Sequence, residues 1–258
     1  MSHVADDVLV LARRSVVRTI RQPANVIFPL IFPLLLLAVN AGGLDAATRL
    51  PGFPTSSFVA FALAIPFIQG ALFATMNAGT DLARDIQTGF LNRLALTPMR
   101  GVALLAGQLG GIVTMGLVQA LVYLFVGLAV GVRLESGFAG ALVLLAFSVL
   151  ISIGFGALGA FAALRTGSGE AVQSLFPAFF VFLFLSSMNL PRNLIETDWF
   201  RAVATANPVS YLIECIRSLI IVGWDAEALA LGFGIAALIT VVALTLATTA
   251  LRGRLARS

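Results

Sequence analysis

Charged side chains are too scarce in this sequence to cover the surface of a water-soluble protein. Only 11% of its 258 residues are charged and 59% are hydrophobic, whereas a soluble domain carries about 25% charged residues. The surplus apolar surface must therefore face lipid. At about 20 residues per transmembrane helix, the chain has room for roughly five to seven spans joined by short loops. We predict an all-α membrane protein that crosses the bilayer several times.

Long apolar runs give the positions of the predicted spans. Five runs are clear, and a sixth, at 171–188, is short but uncharged. The run at 101–132 would be about 48 Å long as a helix, so it is expected to begin outside the hydrocarbon core or to tilt strongly. The six predicted spans are 24–43, 56–77, 101–132, 137–164, 171–188 and 228–251.

The N-terminal segment 1–23 is predicted to lie along the membrane surface. Within it, residues 4–21 place most of their valines and leucines on one side of a helical wheel, and their aspartates and arginines on the other. A helix of this kind rests in the membrane interface instead of crossing it. Pro23 should separate this helix from the first span.

The distribution of arginines predicts which side of the membrane each loop occupies. All sixteen basic residues are arginines, and under a six-span topology eleven of them lie on the side that carries both termini. Cytoplasmic loops carry such an excess of basic residues, so both termini are predicted to be cytoplasmic. The segments on that side are 1–23, 78–100, 165–170 and 252–258.

The segment 189–227 is then external. A seventh span within it is disfavoured because it contains Glu214 and Arg217, and a charge near the bilayer centre costs about 2.5 to 3.5 kcal/mol. Their i,i+3 spacing would allow the two side chains to pair, which reduces that cost. We predict short re-entrant helices above a cavity or a dimer interface, since irregular backbone at membrane depth needs protein or water around it.

Residue counts disfavour several kinds of active site. The sequence has no lysine, one cysteine (Cys215) and one histidine (His3). A phosphate-binding G-x-x-x-x-G-K-[ST] loop cannot form without lysine, and metal sites or Cys/His catalytic pairs lack their residues. The five clear spans contain no Asp, Glu, Lys, Arg or His, which argues against a proton- or ion-coupled carrier. We predict a chain that is not an enzyme and binds no cofactor.

The longest predicted cytosolic loop, 78–100, has the pattern of a helix that ends before Pro98. Two interpretations fit it equally well: an ordinary solvated loop, or a docking helix for a cytosolic partner. Its charged residues are Asp81, Arg84, Asp85 and Arg93. Its apolar patch consists of Phe90, Leu91 and Leu94.

Polar and proline residues inside the spans are candidates for contacts along a transport pathway. The alternative for each polar residue is an interhelical hydrogen bond, worth about 0.6 kcal/mol on average in membranes. The polar residues are Gln69, Asn77, Gln108, Gln119, Gln173 and Asn189. Prolines kink helices, and those in or near the spans are Pro29, Pro33, Pro66 and Pro177.

The order of these elements and two motifs resemble the permease subunit of type-2 ATP-binding cassette exporters, which export drugs, lipids and polysaccharides. The motif LNRLALTPMRGVALLAGQLGG, at 91–111, is similar to the family's junction between a cytosolic helix and the third span. The segment 189–225 is similar to the family's external pattern of a proline, then Asn-Pro, an aromatic residue and an arginine. The matching residues are Pro191, Asn207, Pro208, Tyr211 and Arg217, and Glu214 lies among them.

The resemblance covers essentially the whole chain and implies an assembly. It implies two permease subunits, identical or related, with two cytosolic ATPase subunits that carry ATP and Mg²⁺. It further implies that the N-terminal helix and the 80–97 helix contact the ATPase, and that the external helices close the pathway in the cytoplasmic (inner) membrane. The short turn at 165–170, RTGSGE, departs from the family pattern because it leaves little for a second docking contact.

The nature of the cargo is suggested only by composition. The chain has 20 phenylalanines but two tryptophans and two tyrosines, whereas sugar-binding tunnels favour Trp and Tyr, whose rings carry a polar group. This favours an apolar or amphipathic cargo, such as a drug or lipid. A polysaccharide or glycolipid permease, a six-helix secondary or uncoupled carrier, and a membrane scaffold remain alternatives; nucleic acid is not an expected partner.

Overall fold

The computed structural model describes residues 10, 12–14, 16–18, 21, 23–90 and 101–255. These residues form helices and connecting turns, with no β-strand among them. The α-helices are α1 Pro23–Leu44, α2 Phe58–Ala62, α3 Ala64–Gln87, α4 Gly101–Ala129, α5 Gly137–Thr166, α6 Gly169–Gln173, α7 Leu175–Phe184, α8 Asp198–Ala206, α9 Pro208–Arg217 and α10 Ala226–Leu255. Residues 10, 12–14 and 16–18 are also helical, and the remaining helical elements are short 3₁₀-helices at Asp45–Arg49 and Arg192–Leu194 and a π-helical turn at Ser218–Val222.

Five helical stretches in the described residues are long and apolar enough to cross a membrane. They are Asn25–Arg49, Phe58–Gln87, Gly107–Ala129, Gly137–Thr166 and Ala226–Leu255. The prediction of an all-helical protein with several spans is therefore confirmed. That the 101–132 run starts outside the hydrocarbon core stays a prediction.

The predicted span at 171–188 is a shorter, interrupted helix. It comprises α6 and α7, which together run from Gly169 to Phe184, a length of about 24 Å at 1.5 Å per residue. Its topology, the cytoplasmic position of the termini and the six-span count therefore stay predictions.

Helix boundaries lie close to two of the four prolines, while kinks at the prolines stay a prediction. The helix is interrupted at Leu63, three residues before Pro66, and at Ser174, three residues before Pro177. Proline lacks the N–H that would bond to the carbonyl four residues earlier, and its ring clashes with that carbonyl. The breaks lie where this clash predicts them. Helix α1, by contrast, continues through Pro29 and Pro33.

Helix α3 is the central element of the fold. In the stretch Phe58–Gln87, which α2 and α3 form together, 94% of the most apolar 18-residue segment is buried. It packs most closely on α5, where a Cβ added to Gly159 would lie 1.9 Å from the carbonyl oxygen of Thr75. The Thr75 hydroxyl donates a hydrogen bond of 2.8 Å to the Phe155 carbonyl on α5. Small residues thus allow the two backbones to approach, as in other membrane helix pairs.

The predicted helix within 78–100 is continuous with the preceding span in its first half, and its position in the cytosol stays a prediction. Residues 78–87 extend α3 without a break, because this stretch contains no proline and its aspartates find arginine partners in the N-terminal segment. The helix ends at a turn in which Gly89 has a φ of +68°, a conformation that glycine adopts without strain. Residues 91–100 lie outside the described part of the chain.

The segment 189–227, predicted to be external, contains a sharp bend. Helix α8 and the stretch Pro208–Val222 meet at 79°. One side of α9 is buried against the helices around it, including the side chains of Leu212, Ile213 and Ile216. This bend and burial are what a re-entrant pair requires, while its depth in a membrane stays a prediction.

Candidate functional site

Asn207 joins the end of α7 to the start of α9. Its Oδ1 accepts a 2.9 Å hydrogen bond from the Val209 N–H and so caps α9. Its Nδ2 donates a 2.6 Å hydrogen bond to the Phe182 carbonyl on α7. Pro208 occupies the first helical position, where its missing N–H has no cost. The Asn-Pro pair is therefore a cap and a tether at once.

Arg217 fixes three backbone carbonyls at the same end of the molecule. Its Nε donates to the Phe61 carbonyl at 3.0 Å, and its Nη atoms donate to the carbonyls of Ser187 and Met188 at 2.6 and 2.5 Å. Its guanidinium carbon lies 3.4 Å from the centre of the Phe61 ring. We call this arrangement the arginine clamp: one buried cation bonds to carbonyls near the end of α2 and just beyond α7.

The predicted pairing of Glu214 with Arg217 is wrong. Glu214 instead forms an ion pair with Arg192, which also stacks on the Tyr211 ring at 4.5 Å. The guanidinium of Arg217 is directed toward carbonyls, which carry negative partial charge where helices end. Burial alone would lower the pKa of Arg192, but Glu214 and Tyr211 together more than offset this and leave that pKa above its ordinary value.

The external residues singled out by the sequence are therefore brought together around α9. Tyr211 donates a 2.9 Å hydrogen bond to the Thr205 carbonyl across the bend. Pro191 precedes the short helix that carries Arg192. The role of this group as an external gate stays a prediction, but its members form one connected joint.

At the opposite end of α3, two aspartates bind two arginines of the N-terminal segment. Asp85 accepts paired hydrogen bonds of 3.0 and 3.2 Å from Arg14 and a third, of 3.0 Å, from Arg18. Arg18 also contacts Asp81 at 3.0 Å, and Gln108 donates to Asp85 at 3.2 Å. These five residues form what we call the ionic cluster. The two aspartates are four residues apart on α3, and the two arginines are four residues apart in the N-terminal segment, so each pair lies on one face of its helix.

The residues predicted to dock an ATPase have different environments. Asp81 and Asp85 are engaged within the chain, whereas Arg84 is exposed. The ring of Phe90 lies 3.9 Å from the guanidinium carbon of Arg14. Of the other predicted docking residues, Leu91, Arg93 and Leu94 lie outside the described residues. Docking by this group stays a prediction.

The polar residues predicted inside the spans do not converge on one cavity. Asn77 donates a 3.2 Å hydrogen bond to the Asn25 carbonyl, the interhelical alternative considered from the sequence. Asn77 and Gln108 share a crevice of about 20 Å³ with Asp81, enough for one water molecule. Gln173 is exposed. Among the described residues, buried amide atoms of Gln69, Gln119 and Asn189 have no hydrogen-bond partner.

A row of aromatic rings, which the sequence analysis missed, connects three helices. Phe28 and Phe32 of α1 both contact Phe73 of α3, at centroid distances of 5.6 and 6.1 Å. Phe73 contacts Phe176 at 5.4 Å, and the row continues along α7. We call this the phenylalanine face; its members are Phe28, Phe32, Phe73, Phe176, Phe180 and Phe184. Their i,i+4 spacing within α1 and α7 was the available signal.

Comparisons with known proteins agree on the kind of protein. A family model described as ABC-2 type transporter matches residues 6–221. A daunorubicin resistance ABC transporter permease protein, DrrB1, of Streptomyces coeruleorubidus is 32% identical over 75% of this chain, and the match spans 66% of that relative, slightly less than two thirds of its length.

Two further relatives cover more of their own length. A probable doxorubicin resistance ABC transporter permease protein, DrrC, of Mycobacterium tuberculosis is 25% identical over 81% of this chain and 75% of the relative. The transport permease ycf38 of Cyanophora paradoxa is 24% identical over 83% of the chain and 73% of the relative. With the family match and the apolar helices, they establish that this multi-pass membrane chain belongs to the ABC-2 type transporter family, as a permease subunit.

Proposed function

We propose that this chain is the transmembrane permease of an ATP-driven exporter that moves an apolar or amphipathic, drug- or lipid-like compound out of the cell. The observation that carries the substrate class is the phenylalanine face, a connected row of six rings spread over α1, α3 and α7. Two relatives are named for resistance to daunorubicin and doxorubicin, which supports a drug-like cargo.

The phenylalanine face suits such a cargo because aromatic pairs contribute about 0.5 to 1.5 kcal/mol beyond their buried area. Phe28 and Phe184 are more than half exposed, while Phe73 is buried between them and the interior. A planar apolar compound could therefore stack against the exposed rings without displacing the central helix. In the assembly, this face would border the pathway between two permease copies in the cytoplasmic membrane.

The proposed energy source is a separate cytosolic ABC ATPase, present in two copies, which binds ATP and Mg²⁺. This chain has no lysine, so it lacks the phosphate-binding loop that ATP hydrolysis of this kind uses. The cytosolic end of α3, with exposed Arg84, is the proposed contact. The ionic cluster would link movement of α3 to the N-terminal segment. The second permease copy is either identical or a related chain.

Substitution on the phenylalanine face tests the cargo. We expect Phe32→Ala and Phe180→Ala each to reduce export of an amphipathic aromatic drug several-fold, measured as ATP-dependent uptake into inverted vesicles containing the chain and its ATPase. Phe125→Ala is the matched control, since Phe125 is 72% exposed on α4 and is outside the face. Equal export by all three variants at equal expression would contradict the proposed pathway.

The docking contact is tested by separating Arg84 from the ionic cluster. Reversing Asp81, Arg84 and Asp85 together is expected to abolish co-purification with the ATPase, but this change also breaks bonds within the chain. Arg84→Glu alone leaves those bonds intact. We expect it to weaken co-purification clearly without lowering the melting temperature. Undiminished co-purification of a folded Arg84→Glu variant would argue against a docking role for this side chain.

A further inference from the structure

We propose that an acyl chain of a bilayer lipid binds in a cavity between the end of α7 and the start of α9. This cavity has a volume of about 170 Å³. Its walls come from five helices: α3, α5, α7, α9 and α10. The lining residues that carry the argument are Leu72, Phe179, Phe182, Pro208, Val209 and Ile239.

The wall chemistry selects a hydrocarbon. Every lining residue is apolar, including Ile68, Phe155 and Leu183, and no polar atom is exposed at the cavity surface. Water requires two to four polar partners to occupy a buried site, and apolar cavities of about 150 Å³ stay dry and bind apolar molecules. The occupant is therefore apolar, and a volume of this size suits a short stretch of an acyl chain.

The depth of the cavity identifies the source of the hydrocarbon. Ile68 lies about 15 Å along the helix from Phe58, and Ile239 about 20 Å from Ala226, at 1.5 Å per residue. Both positions are well inside a hydrocarbon core of about 30 Å. Phe182 is 53% exposed and Pro208 is exposed at the rim. At this depth the opening faces the hydrocarbon core of the bilayer, which consists of acyl chains.

The cavity adjoins the joint made by Asn207. Phe182 contributes its side chain to the wall and its carbonyl to the hydrogen bond with Asn207 Nδ2. Pro208 and Val209, the first residues of α9, form another part of the wall. An acyl chain in this position contacts both sides of the joint. Occupancy should therefore stabilise the tethered arrangement of α7 and α9.

Photolabelling of the full chain in lipid vesicles tests this proposal. The probe is a phosphatidylcholine that carries a diazirine on one acyl chain, and labelled residues are located by mass spectrometry. We expect adducts on Phe179, Phe182 and Val209 to exceed those on Val241, which is 62% exposed on α10. Adducts no more frequent in the cavity than at Val241 would overturn the proposal.

Variants that fill or enlarge the cavity make the test specific. Val209→Phe and Ile239→Phe should lower cavity labelling several-fold, whereas Val241→Phe on the same helix as Ile239 should not. Leu72→Ala enlarges the cavity and should raise labelling, so the proposal can still fail if a filling variant does not fold. Unchanged labelling in folded variants would overturn it. So would labelling by a photoreactive aromatic drug with none by the lipid probe.

Discussion

At the scale of single residues, the clearest feature is a buried cation that has backbone carbonyls as its partners. Arg217 is 5% exposed, and the structure gives it three carbonyl oxygens within 3.0 Å. Helix ends leave such carbonyls without intrahelical partners. The side chain therefore neutralises partial negative charge and connects α9 to α2 and to the segment just beyond α7.

Replacing this arginine should destabilise the protein strongly. Arg217→Gln removes most of the three donors, and each buried carbonyl left unpaired costs about 1 to 3 kcal/mol. We expect a clear fall in the melting temperature of the detergent-solubilised chain. Arg201→Gln is the control, because the Arg201 side chain is 44% exposed. Similar melting temperatures for the two variants would show that the clamp contributes little.

The prolines of α1 remove the usual intrahelical partners of two backbone carbonyls. Pro33 cannot donate to the Pro29 carbonyl, which instead accepts a 2.5 Å hydrogen bond from the Tyr123 hydroxyl. In the same way, Pro29 leaves the Asn25 carbonyl to Asn77. Polar side chains of α4 and α3 thus complete the hydrogen bonding of α1. They are structural partners in this arrangement.

Tyr123→Phe isolates the first of these hydrogen bonds. We expect a loss of about 0.6 to 1.7 kcal/mol, the range found for interhelical hydrogen bonds in membranes, seen as a reduced resistance to unfolding in mixed detergent. Tyr211→Phe removes a hydrogen bond in an exposed position and should have a smaller effect. A larger effect for Tyr211→Phe would contradict this account of α1.

At the scale of single residues, the sequence indicates which groups need a hydrogen-bond or ion-pair partner, but it does not identify that partner. A proline deprives the carbonyl four residues earlier of its intrahelical partner, so the positions of such carbonyls can be predicted from the sequence. Which side chain reaches them depends on distant helices: Tyr123 is 94 residues from Pro29. The expected Glu214–Arg217 pair failed for the same reason, since local spacing was used where packing across the fold decides.

At the scale of helices, the ionic cluster attaches the N-terminal segment to α3 and α4. The contact is close, since a Cβ added to Gly110 would lie 2.6 Å from the Cβ of Ala12. Asp85, with its side chain 5% exposed, bonds to both arginines and to Gln108. Loss of that one carboxylate charge would therefore weaken the whole attachment.

Disulfide trapping measures this attachment. The Cβ atoms of a disulfide lie about 3.5 to 4.5 Å apart, so Ala12→Cys with Gly110→Cys should oxidise in membranes once the two segments shift apart by about 1 Å. The native Cys215 is buried and should not compete. We expect Asp85→Asn to slow trapping several-fold by weakening its charge-assisted bonds. Arg84→Gln, one residue away and exposed, should leave the rate unchanged. If both variants trap at the native rate, the cluster does not hold the segment.

The α3–α5 contact gives a second test at this scale. A Cβ at position 159 cannot fit against the Thr75 carbonyl, so Gly159→Ala must separate the helices, at a cost of about 1 to 3 kcal/mol. Gly234→Ala adds the same methyl group on α10, where nothing lies within 4 Å. We expect a lower melting temperature for the first variant only. Equal values would mean that the contact can open without cost.

Helices were predicted best where apolar periodicity is long and unbroken. The runs at 137–164 and 228–251 correspond closely to α5 and α10. A helix was predicted at 78–87, but its continuity with the preceding span was not, because its charged residues suggested a loop and their arginine partners lie in a distant segment. Hydropathy indicates whether a segment prefers lipid or water. It does not show which charged residues will form ion pairs, because that depends on the tertiary fold.

At the scale of the whole molecule, the chain has the properties of a permease subunit of an ABC transporter. Its family is established by residues 6–221, its spans are apolar, and the sequence has no lysine for a nucleotide-binding loop. The joint around α9 and the ionic cluster lie at opposite ends of α3. Movement imposed at the ionic-cluster end of this central helix would pass along α3 and across the interruption at Leu63 to Phe61 of α2, which the arginine clamp holds.

The most direct test of this account is drug transport in reconstituted vesicles. Vesicles would contain the chain alone, an ABC ATPase from the same genome alone, or both, and ATP-dependent accumulation of a fluorescent amphipathic drug would be measured. The account predicts accumulation only when both proteins are present, with none when ATP is replaced by a non-hydrolysable analogue. Accumulation by the chain alone under a proton gradient, or none with any ABC ATPase of that genome, would contradict it.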